Sequence, residues 1–395
     1  MAEYARLIHV TTIPGTIRAF LLPYAQAFRS RGWVVDCMAA GAPACPVLCE
    51  NFDRVWDVSW SRNPLDLANF GRTPRLIEEI VKRERYDIVH VHTPVAAFVT
   101  RYALRNLRQE HHPKVVYTAH GFHFYRGGSV SKNTVFRMIE RLAGRWTDHL
   151  IVMNREDHEA AQALKIVPPS AVTFMSGIGI ATSEYDPSSV RPEEIASVRA
   201  EMGLNPSSPL FLMVAEFIPR KRHVDALQAF ANLMFPEAHL AFAGDGPCMR
   251  EMKRLAQTLG VSDCVHFLGL RNDIRILMRA SNALLLPSTQ EGLPRSIMEA
   301  LSLQVPVIGS DIRGTRDLLE NGCGLLVPVG DVGGLARAIQ CILDNPSEAR
   351  VMAQRGRAKM ITKCDINHIL KSHTELYDRL LNDGLSAYEE QSAPQ

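Results

Sequence analysis

The sequence predicts an α/β protein with two domains, each built on a parallel β-sheet. Short runs that are apolar throughout alternate with amphipathic segments of helical period along the 395 residues. Strands that are buried on both faces and joined by helices are typical of parallel sheets. The alternation occurs twice, and the segment 177–209 between the two series is rich in Gly, Pro, Ser and charge. We therefore expect a linker or hinge there and two Rossmann-like domains with a cleft between them.

The first series defines the N-terminal domain, which we assign to residues 1–178. Apolar runs bounded by turn residues predict its strands, and a period near 3.6 predicts its helices. The strands are predicted at 6–12, 33–40, 86–92, 114–120, 149–154 and 172–176, and the clearest helices at 17–31, 75–84 and 134–147.

The second series defines the C-terminal domain, which we assign to residues 185–365. A further amphipathic helix at about 366–382 is too long for a frayed tail, whereas 384–395 is polar and expected to be mobile. The strands are predicted at 210–215, 239–243, 265–268, 283–287, 305–309 and 324–327, and the helices at 224–234, 248–259, 273–280, 295–303 and 331–344.

Composition excludes several classes of protein. Hydrophobic residues make up 46% of the chain, and 44 basic residues balance 42 acidic ones, which argues against disorder and against non-specific nucleic-acid binding. No apolar run reaches the roughly 18–20 residues that span a bilayer, and the N-terminus lacks the pattern of a signal peptide. The eight cysteines form no CxxC pair, which disfavours a disulfide framework or a structural zinc site. We therefore expect a cytoplasmic protein.

The loops that follow the predicted strands are the places to look for chemistry, because ligands of open α/β sheets bind at the carboxyl ends of the strands. No GxxxxGK[ST] motif is present, so a P-loop kinase or ATPase is disfavoured. The pairs Gly177/Gly179 and Gly244/Gly246 lack the third glycine of a dinucleotide fingerprint. The absence of an Asp-x-Asp motif disfavours a metal-dependent nucleotide-sugar enzyme, so we expect neither metal nor cofactor.

The most informative segment is 283–300. A strand ends near Pro287, a Gly-containing loop follows, and Pro294 begins a helix, where proline is tolerated. Glu291 lies in the loop and Glu299 in the second helical turn. The helix N-terminus attracts an anion such as a diphosphate, and two flanking carboxylates suit hydrogen bonds to sugar hydroxyls. Either carboxylate alone would be interpreted as a capping or solvated acid.

Glu291-x7-Glu299, within Pro-Ser-x-x-Glu-Gly-Leu-Pro, resembles the signature of glycosyltransferase family 4. The resemblance covers nearly the whole chain; 87–94 and 118–124 are similar to the branch that builds bacterial exopolysaccharides, capsules and O-antigens. It implies the GT-B fold, in which two Rossmann-like domains face each other across a cleft and a C-terminal helix returns to the N-terminal domain. Further matching positions are Phe267-Leu-Gly269, Gly314, Gly322-x-Gly324 and Asp331.

The resemblance also implies roles for residues of the donor site. Glu299 would hold the ribose hydroxyls of the nucleotide, and Glu291 would contact the donor sugar. Amides around the start of the following helix would approach the sugar and the diphosphate. The other implied donor-binding positions in this half are Gly292, Leu293, Pro294 and Leu270.

Three residues outside that segment complete the implied site. Lys221 matches the lysine that neutralises the departing diphosphate, and His120 matches the histidine that reaches the donor sugar across the cleft. Gly15 lies where the loop after the first strand meets the phosphates or the acceptor. A lone lysine is more often a surface charge and a lone strand-end histidine more often structural, but their joint placement favours function. The implied catalytic residues are His120, Lys221 and Glu291.

One residue departs from the family pattern. Many members have Arg where this chain has Glu216, five residues before the lysine, and a carboxylate there would repel the leaving group. Either Glu216 holds Lys221 or Arg220 in place, or the acceptor geometry differs. Arg220 and Arg222 are candidates to supply the missing charge, and spacing alone leaves these alternatives open. We include Glu216 and Arg220 among the donor-binding residues.

The resemblance implies retaining transfer of a hexose or N-acetylhexosamine from a nucleotide diphosphate to an acceptor hydroxyl. The branch favours a UDP-sugar and a product in cell-surface polysaccharide or glycolipid assembly. Such transfer is commonly drawn as front-face attack without a side-chain nucleophile, so Glu291 should position the donor. A nucleotide-sugar 2-epimerase would need an acid–base pair of carboxylates that we do not find. A non-catalytic nucleotide-sugar-binding scaffold is a third interpretation, for which Glu216 is the only hint.

The segment 101–145 favours a lipid-linked saccharide acceptor and contact with an anionic membrane surface on the cytoplasmic side. It contains nine basic residues and only two acids, Glu110 and Glu140, in a chain of net charge +2. Basic residues attract anionic leaflets, and apolar neighbours can enter the interface. An ordinary solvated helix face with core aromatics is the alternative. The interleaved aromatic residues are Phe122, Phe124, Tyr125, Phe136 and Trp146.

Overall fold

The structure, a computed structural model, describes residues 4–61, 66, 69, 71–107, 113–233, 235 and 237–392, with the backbone alone for 383–392. The chain divides into two compact units. The first unit is Met1–Ile178 with Asn367–Gln395, and the second unit is Gly179–Ile366. The sequence analysis assigned 1–178 and 185–365, and it joined the C-terminal helix to the first of these domains.

The first unit contains a parallel sheet of order β3-β2-β1-β4-β5-β6-β7. Its strands are β1 (Arg6–Val10), β2 (Val34–Ala39), β3 (Val55–Asp57), β4 (Ile88–Val91), β5 (Lys114–Ala119), β6 (His149–Val152) and β7 (Val172–Phe174). Its helices up to residue 178 are α1 (Pro14–Phe20), α2 (Leu22–Arg29), α3 (Pro46–Asn51), α4 (Thr73–Glu84), α5 (Pro94–Ala103), α6 (Val130–Gly144) and α7 (Arg155–Ala163).

Two local differences from the sequence analysis have simple causes. The helix predicted at 17–31 is two helices, α1 and α2, because Pro23 has no N–H to donate and occupies the first turn of α2. The edge strand β3 was missed because its three residues are too few to show a period.

The second unit contains a parallel sheet of order β10-β9-β8-β11-β12-β13. Its strands are β8 (Leu210–Val214), β9 (His239–Ala243), β10 (Val265–Gly269), β11 (Ala283–Leu286), β12 (Val307–Ser310) and β13 (Leu325–Val327). Its helices are α8 (Pro192–Glu201), α9 (His223–Ala231), α10 (Met249–Thr258), α11 (Ile274–Ala280), α12 (Arg295–Ser302), α13 (Thr315–Leu319), α14 (Val332–Asp344) and α15 (Pro346–Lys359).

The strands of the second unit are apolar throughout because both faces of the sheet are covered. On β11, Leu284 belongs to one apolar cluster and the adjacent Leu285 to another, and both side chains are fully buried. Side chains alternate between the faces of a strand, so neighbouring residues pack against opposite helix layers. The predicted parallel α/β architecture is confirmed in both units.

The segment 177–209, where we expect a linker or hinge, contains the boundary between the two units at Ile178 and Gly179 and also a helix, α8. Val198 is the one buried residue of α8, so the helix has almost no apolar period to recognise. Helix α15 was missed for a related reason, since it buries the small residues Ala349, Ala353 and Gly356 rather than large apolar side chains.

The C-terminal helix α16 (Ile366–Ser392) belongs to the first unit from Asn367 onward. It continues beyond the predicted end at 382, because polarity in a segment rich in Ala, Leu, Glu and Gln does not oppose helix formation. His373 and Tyr377 of α16 are buried in the first unit. Within the part of the chain that the structure describes, no helix combines the length and apolar character needed to cross a bilayer.

Candidate functional site

Two loops at the centre of the second sheet form the core of the candidate site. Strands β8 and β11 pair directly, so the loops that follow them meet at the carboxyl edge of the sheet. The first loop contains a single 3₁₀ turn, Pro219–Lys221. The backbone N–H of Thr289 in the second loop donates to the carbonyl of Arg220 at 2.8 Å. This bond fixes the two loops side by side.

The carboxylate of Glu291 joins these loops electrostatically. Lys221 Nζ lies 2.5 Å from Glu291 Oε1, and Arg220 Nη1 lies 3.9 Å from Oε2. Glu291 is only 8% exposed, whereas Arg220 is exposed. A buried carboxylate needs such partners, because desolvation of an unpaired charge is costly. The pair therefore holds the Lys221 ammonium at the edge where ligands of such sheets bind.

Glu299 is held in a separate network on α12. Its Oε1 accepts hydrogen bonds from Tyr185 Oη at 2.9 Å and from Arg295 Nε at 2.8 Å. Burial, together with the charge of Glu299, raises the pKa of Tyr185 to about 12, so the phenol keeps its proton and donates. The carboxylate is thus fixed in orientation. Such a preorganised group is suited to accept hydrogen bonds from sugar hydroxyls.

The loop between Glu291 and α12 packs against the start of α13. Gly314 has φ +72°, and a Cβ there would lie 1.8 Å from the carbonyl oxygen of Gly292. The buried side chain of Arg313 donates from Nε to the carbonyl of Glu291 at 3.3 Å. Pro294 is the N-cap of α12, and Leu293 is half-buried. These contacts fix the backbone of the predicted phosphate-binding loop.

The remaining predicted donor residues of this unit lie on neighbouring loops. Leu270, directly after β10, is 82% exposed. Glu216 follows β8 and is exposed. The carboxylate that contacts Lys221 and Arg220 is that of Glu291, and no ion pair among the described residues joins Glu216 to either cation.

Arg222, the second candidate to supply the positive charge that Glu216 lacks, is paired with another carboxylate. It forms a bidentate pair with Asp225 on α9, with Nε–Oδ2 of 2.8 Å and Nη2–Oδ1 of 2.6 Å. This neutralises the guanidinium within its own helix turn. Of the two arginines considered, Arg220 is the one next to the carboxylate of the site.

In the first unit, histidines lie at the carboxyl ends of three neighbouring strands. His120 follows β5 and is partly buried, and its Nε2 lies 3.3 Å from Nδ1 of the buried His92, which follows β4. Burial, with a smaller contribution from His373, lowers the pKa of His120 to about 4. His120 is therefore neutral at pH 7 and suited to hydrogen bonding rather than to charge neutralisation.

Gly15, the other predicted residue of this unit, lies in the first turn of α1 rather than in a loop. It is exposed, and a Cβ there would meet only Ile13 Cδ1, at 3.8 Å. Packing within the described residues therefore does not require glycine at this position. Its predicted contact with phosphates or acceptor remains a prediction.

The sequence analysis missed the histidines that support His120. It treated His90 and His92 only as a pair without the cysteines of a zinc site. The available signal was their spacing of two, which puts both on one face of β4, beside His9 on the adjacent β1. That juxtaposition follows from strand order, which the sequence alone does not specify.

The basic segment 101–145 presents a different surface from the one expected. Arg101 is fully buried and pairs with Glu140 at 3.1 Å, and Arg108 and Glu110 lie outside the described residues. Phe122 and Phe124 are buried and stack on each other, so they are core residues and not interfacial ones. The exposed apolar residues are aliphatic and lie on α6: Val130, Val135, Met138 and Leu142.

Comparison with known proteins decides the family. The model "Glycosyl transferase 4-like domain" matches residues 15–176, and "Glycosyl transferases group 1" matches residues 194–359. The putative glycosyltransferase EpsD of Bacillus subtilis (strain 168) is 32% identical over 355 residues, which are 89% of this chain and 91% of EpsD. The chain belongs to this glycosyltransferase family.

Further relatives agree with this assignment. The UDP-Gal:alpha-D-GlcNAc-diphosphoundecaprenol alpha-1,3-galactosyltransferase of Escherichia coli is 27% identical over 85% of this chain and 84% of its own length. The crystal structure of Anabaena HepE in complex with UDP and glucose matches 95% of this glycosyltransferase and 100% of HepE, with a TM-score of 0.78 at 20% identity. WaaG, a glycosyltransferase of lipopolysaccharide biosynthesis, matches with a TM-score of 0.71. The GT-B fold implied by the resemblance is confirmed, and these relatives are transferases rather than epimerases.

The contact between Gly314 and Gly292 predicts a large effect of one methyl group. Gly314→Ala should lower the free energy of unfolding by about 1–3 kcal/mol more than Gly260→Ala, because the new Cβ must displace the Gly292 backbone. Gly260 is the matched control, since its φ is +70° but no atom lies within 4 Å of its Cβ position. Urea unfolding of both variants measures the difference, and equal losses would show that the loop does not pack as described.

Proposed function

We propose that this glycosyltransferase moves a sugar, a hexose or N-acetylhexosamine, from a UDP-sugar to a hydroxyl of a lipid-linked saccharide, with retention of anomeric configuration. The reaction would serve the assembly of a cell-surface polysaccharide or glycolipid. The observation that carries the proposal is the Lys221–Glu291 pair at the carboxyl ends of two central strands, together with the fixed carboxylate of Glu299 on α12.

The names of relatives support the donor and acceptor classes. The Escherichia coli relative is named for a UDP-Gal donor and a diphosphoundecaprenol acceptor. A Campylobacter jejuni relative, 23% identical over 63% of this chain, is named as an N-acetylgalactosaminyltransferase acting on a diphospho-undecaprenol-linked sugar. The two names share a sugar that is linked through a diphosphate to undecaprenol, and this is the acceptor class we propose.

In the proposed mechanism, negative charge develops on the β-phosphate as the bond to the sugar breaks. The Lys221 ammonium would stabilise this charge, and Arg220 and the N-terminus of α12 after Gly292, Leu293 and Pro294 would add to it. Glu291 holds the ammonium in place and would contact the donor sugar. Because its carboxylate is already shared between two cations, it suits positioning better than nucleophilic attack, which supports retention without a covalent intermediate.

The remaining donor contacts that we propose are those implied by the family resemblance. Glu299 would accept the ribose hydroxyls, and the exposed Leu270 would give an apolar contact with the nucleotide. His120 of the first unit would bind a hydroxyl of the donor sugar as a neutral imidazole. Gly15 would allow close approach of the phosphates or of the acceptor, and Glu216 would lie near the diphosphate without pairing to Lys221.

Variants of Lys221 and Glu299 should separate two kinds of contact. Lys221→Ala removes charge that acts mainly in the transition state, so kcat should fall by roughly 10²-fold or more. Glu299→Ala removes ground-state contacts to ribose, so the donor KM should rise by roughly 10-fold or more. Steady-state kinetics measure both effects.

Two controls make the kinetic result specific. Lys253→Ala removes an exposed lysine from α10 and should leave both constants unchanged. Tyr185→Phe removes one of the two donors to Glu299 Oε1 and should raise KM less than Glu299→Ala does. Wild-type turnover of both Lys221→Ala and Glu299→Ala would refute the assigned site.

We also propose that transfer requires no metal ion. The sequence has no Asp-x-Asp motif, and Lys221 and Arg220 already place positive charge beside Glu291. Activity should therefore persist in EDTA after gel filtration. Loss of activity that Mg²⁺ or Mn²⁺ restores would contradict this account of the electrostatics.

The proposal includes peripheral binding to the cytoplasmic face of an anionic membrane through α6. Val130, Val135, Met138 and Leu142 are 82%, 50%, 67% and 43% exposed. The single acid of the helix, Glu140, points inward, where it accepts hydrogen bonds from Arg101 Nη2 at 3.1 Å and Tyr117 Oη at 3.2 Å. The outward charges of α6 are therefore all positive, on Lys132, Arg137 and Arg141.

Vesicle co-sedimentation tests this surface. Each basic residue near an anionic leaflet contributes about 1 kcal/mol, so Arg137→Glu with Arg141→Glu should abolish binding to phosphatidylglycerol vesicles. Wild type should bind these vesicles, less so in high salt, and should not bind phosphatidylcholine vesicles. The control reverses Arg250 and Arg254, two exposed arginines with the same spacing on α10, and should bind as wild type. Absence of binding to either vesicle would remove the membrane from the proposal.

A further inference from the structure

Three histidines of the first unit form a hydrogen-bonded chain that leads inward from the predicted site residue His120. We call His120, His92 and His9 the histidine chain. His120 Nε2 lies 3.3 Å from His92 Nδ1, and His92 Nε2 lies 3.0 Å from His9 Nδ1. His92 is 3% exposed and His9 is 0% exposed, so water cannot replace these bonds. His92 uses both of its ring nitrogens within the chain.

The hydrogen bonds of the histidine chain all run in one direction because its three imidazoles are neutral. Burial lowers the pKa of His9 to about 3 and that of His120 to about 4, and it holds the pKa of His92 well below its usual value. A neutral imidazole has one N–H and one acceptor nitrogen. Each of the two hydrogen bonds needs one proton between its nitrogens. The three imidazoles must therefore all be protonated on Nδ1 or all on Nε2, because a mixture would leave one bond with no proton or with two.

The inner end of the chain distinguishes these two arrangements. His9 Nε2 is buried and has no hydrogen-bond partner among the described residues. If the protons were on Nε2, that atom would be a buried N–H without an acceptor, which folded proteins rarely tolerate. With the protons on Nδ1, it is an unused lone pair. The arrangement with Nδ1–H throughout is therefore favoured.

We propose that His9 and His92 are positioning residues that hold His120 as the Nδ1–H tautomer. Free histidine in water favours the other tautomer, so the chain imposes a form that the side chain would not otherwise prefer. His120 Nε2 then accepts from His92, and Nδ1–H is left to donate to an oxygen of a ligand. That His120 contacts the donor sugar rests on the proposed function, whereas the tautomer does not.

Neighbouring residues hold the chain by packing rather than by joining it. His90 lies against His92 with ring centroids 4.1 Å apart, and its nitrogens contact Tyr377 Oη at 2.5 Å and Thr118 Oγ1 at 2.7 Å. The nitrogens of His9, His90 and His92 are close enough to suggest a metal site. Because both nitrogens of His90 are engaged by hydroxyl groups, we interpret the cluster as hydrogen-bonded.

Nitrogen-15 NMR of the ligand-free full chain, labelled at histidine, tests the proposal directly. Two-bond proton–nitrogen correlations identify the tautomer of each neutral imidazole, and the signals that disappear in His120→Gln assign this residue. We expect His120 to be protonated at Nδ1. Protonation at Nε2 in the wild-type protein would overturn the proposal without any need for a folded variant.

Substitutions then test whether His92 sets the tautomer. His92→Phe should shift His120 toward Nε2–H and lower kcat by about 3- to 10-fold, the loss expected for one hydrogen bond. His92→Asn keeps a donor near the position of Nδ1 and should retain the wild-type tautomer. His149→Gln is the control, since His149 is equally buried on β6 but contacts Thr173 instead.

The outcomes separate this inference from the proposed function. An unchanged tautomer in a folded His92→Phe protein would show that the chain does not position His120. If the tautomer is as expected but His120→Gln transfers sugar at the wild-type rate, the histidine chain is present and the proposed role of His120 in the reaction is refuted.

Discussion

The ion pair between Lys221 and Glu291 is the interaction on which the candidate donor site depends. It joins loops that follow two paired strands, and its carboxylate is only 8% exposed. Removing one partner of such a buried pair typically costs about 3–5 kcal/mol, because the other charge is left without compensation. The same contact thus joins the loops and keeps an ammonium group at the carboxyl edge of the sheet. The residue that we propose to bind the leaving group is therefore already paired, in the absence of a ligand, with the carboxylate that positions it.

In both units, polar side chains meet at the carboxyl ends of neighbouring parallel strands, but their chemistry differs. In the second unit the carboxyl ends of β8 and β11 bring together charges, which suit a diphosphate and sugar hydroxyls. In the first unit the carboxyl ends of β1, β4 and β5 bring together neutral imidazoles, whose pKa values burial lowers. The charged side chains and the neutral imidazoles thus lie in separate units. This division fits a transferase in which the leaving group and the sugar hydroxyls need different partners.

The sequence predicted most of the fold because strands buried on both faces are apolar without interruption. It also predicted Glu291 and Glu299 as donor-site residues, because their spacing within one strand–loop–helix segment is visible in the chain. It could not show that Lys221 pairs with Glu291, because the residues are 70 positions apart and the strand order must be known first. Helix α8 and the histidine chain were missed for comparable reasons. The first has almost no apolar period, and the second appears only when three strands are placed side by side.

The measurement that tests the central claim most directly is release of UDP by the purified protein from UDP-galactose and UDP-N-acetylglucosamine, with and without an undecaprenyl-diphosphate-linked sugar. The account predicts UDP release that depends on the acceptor and is matched by a longer lipid-linked saccharide. Conversion of the donor sugar without transfer would show an epimerase. Tight donor binding with neither reaction, across both donors and an acceptor panel, would show a scaffold, and either result would contradict the proposed transfer.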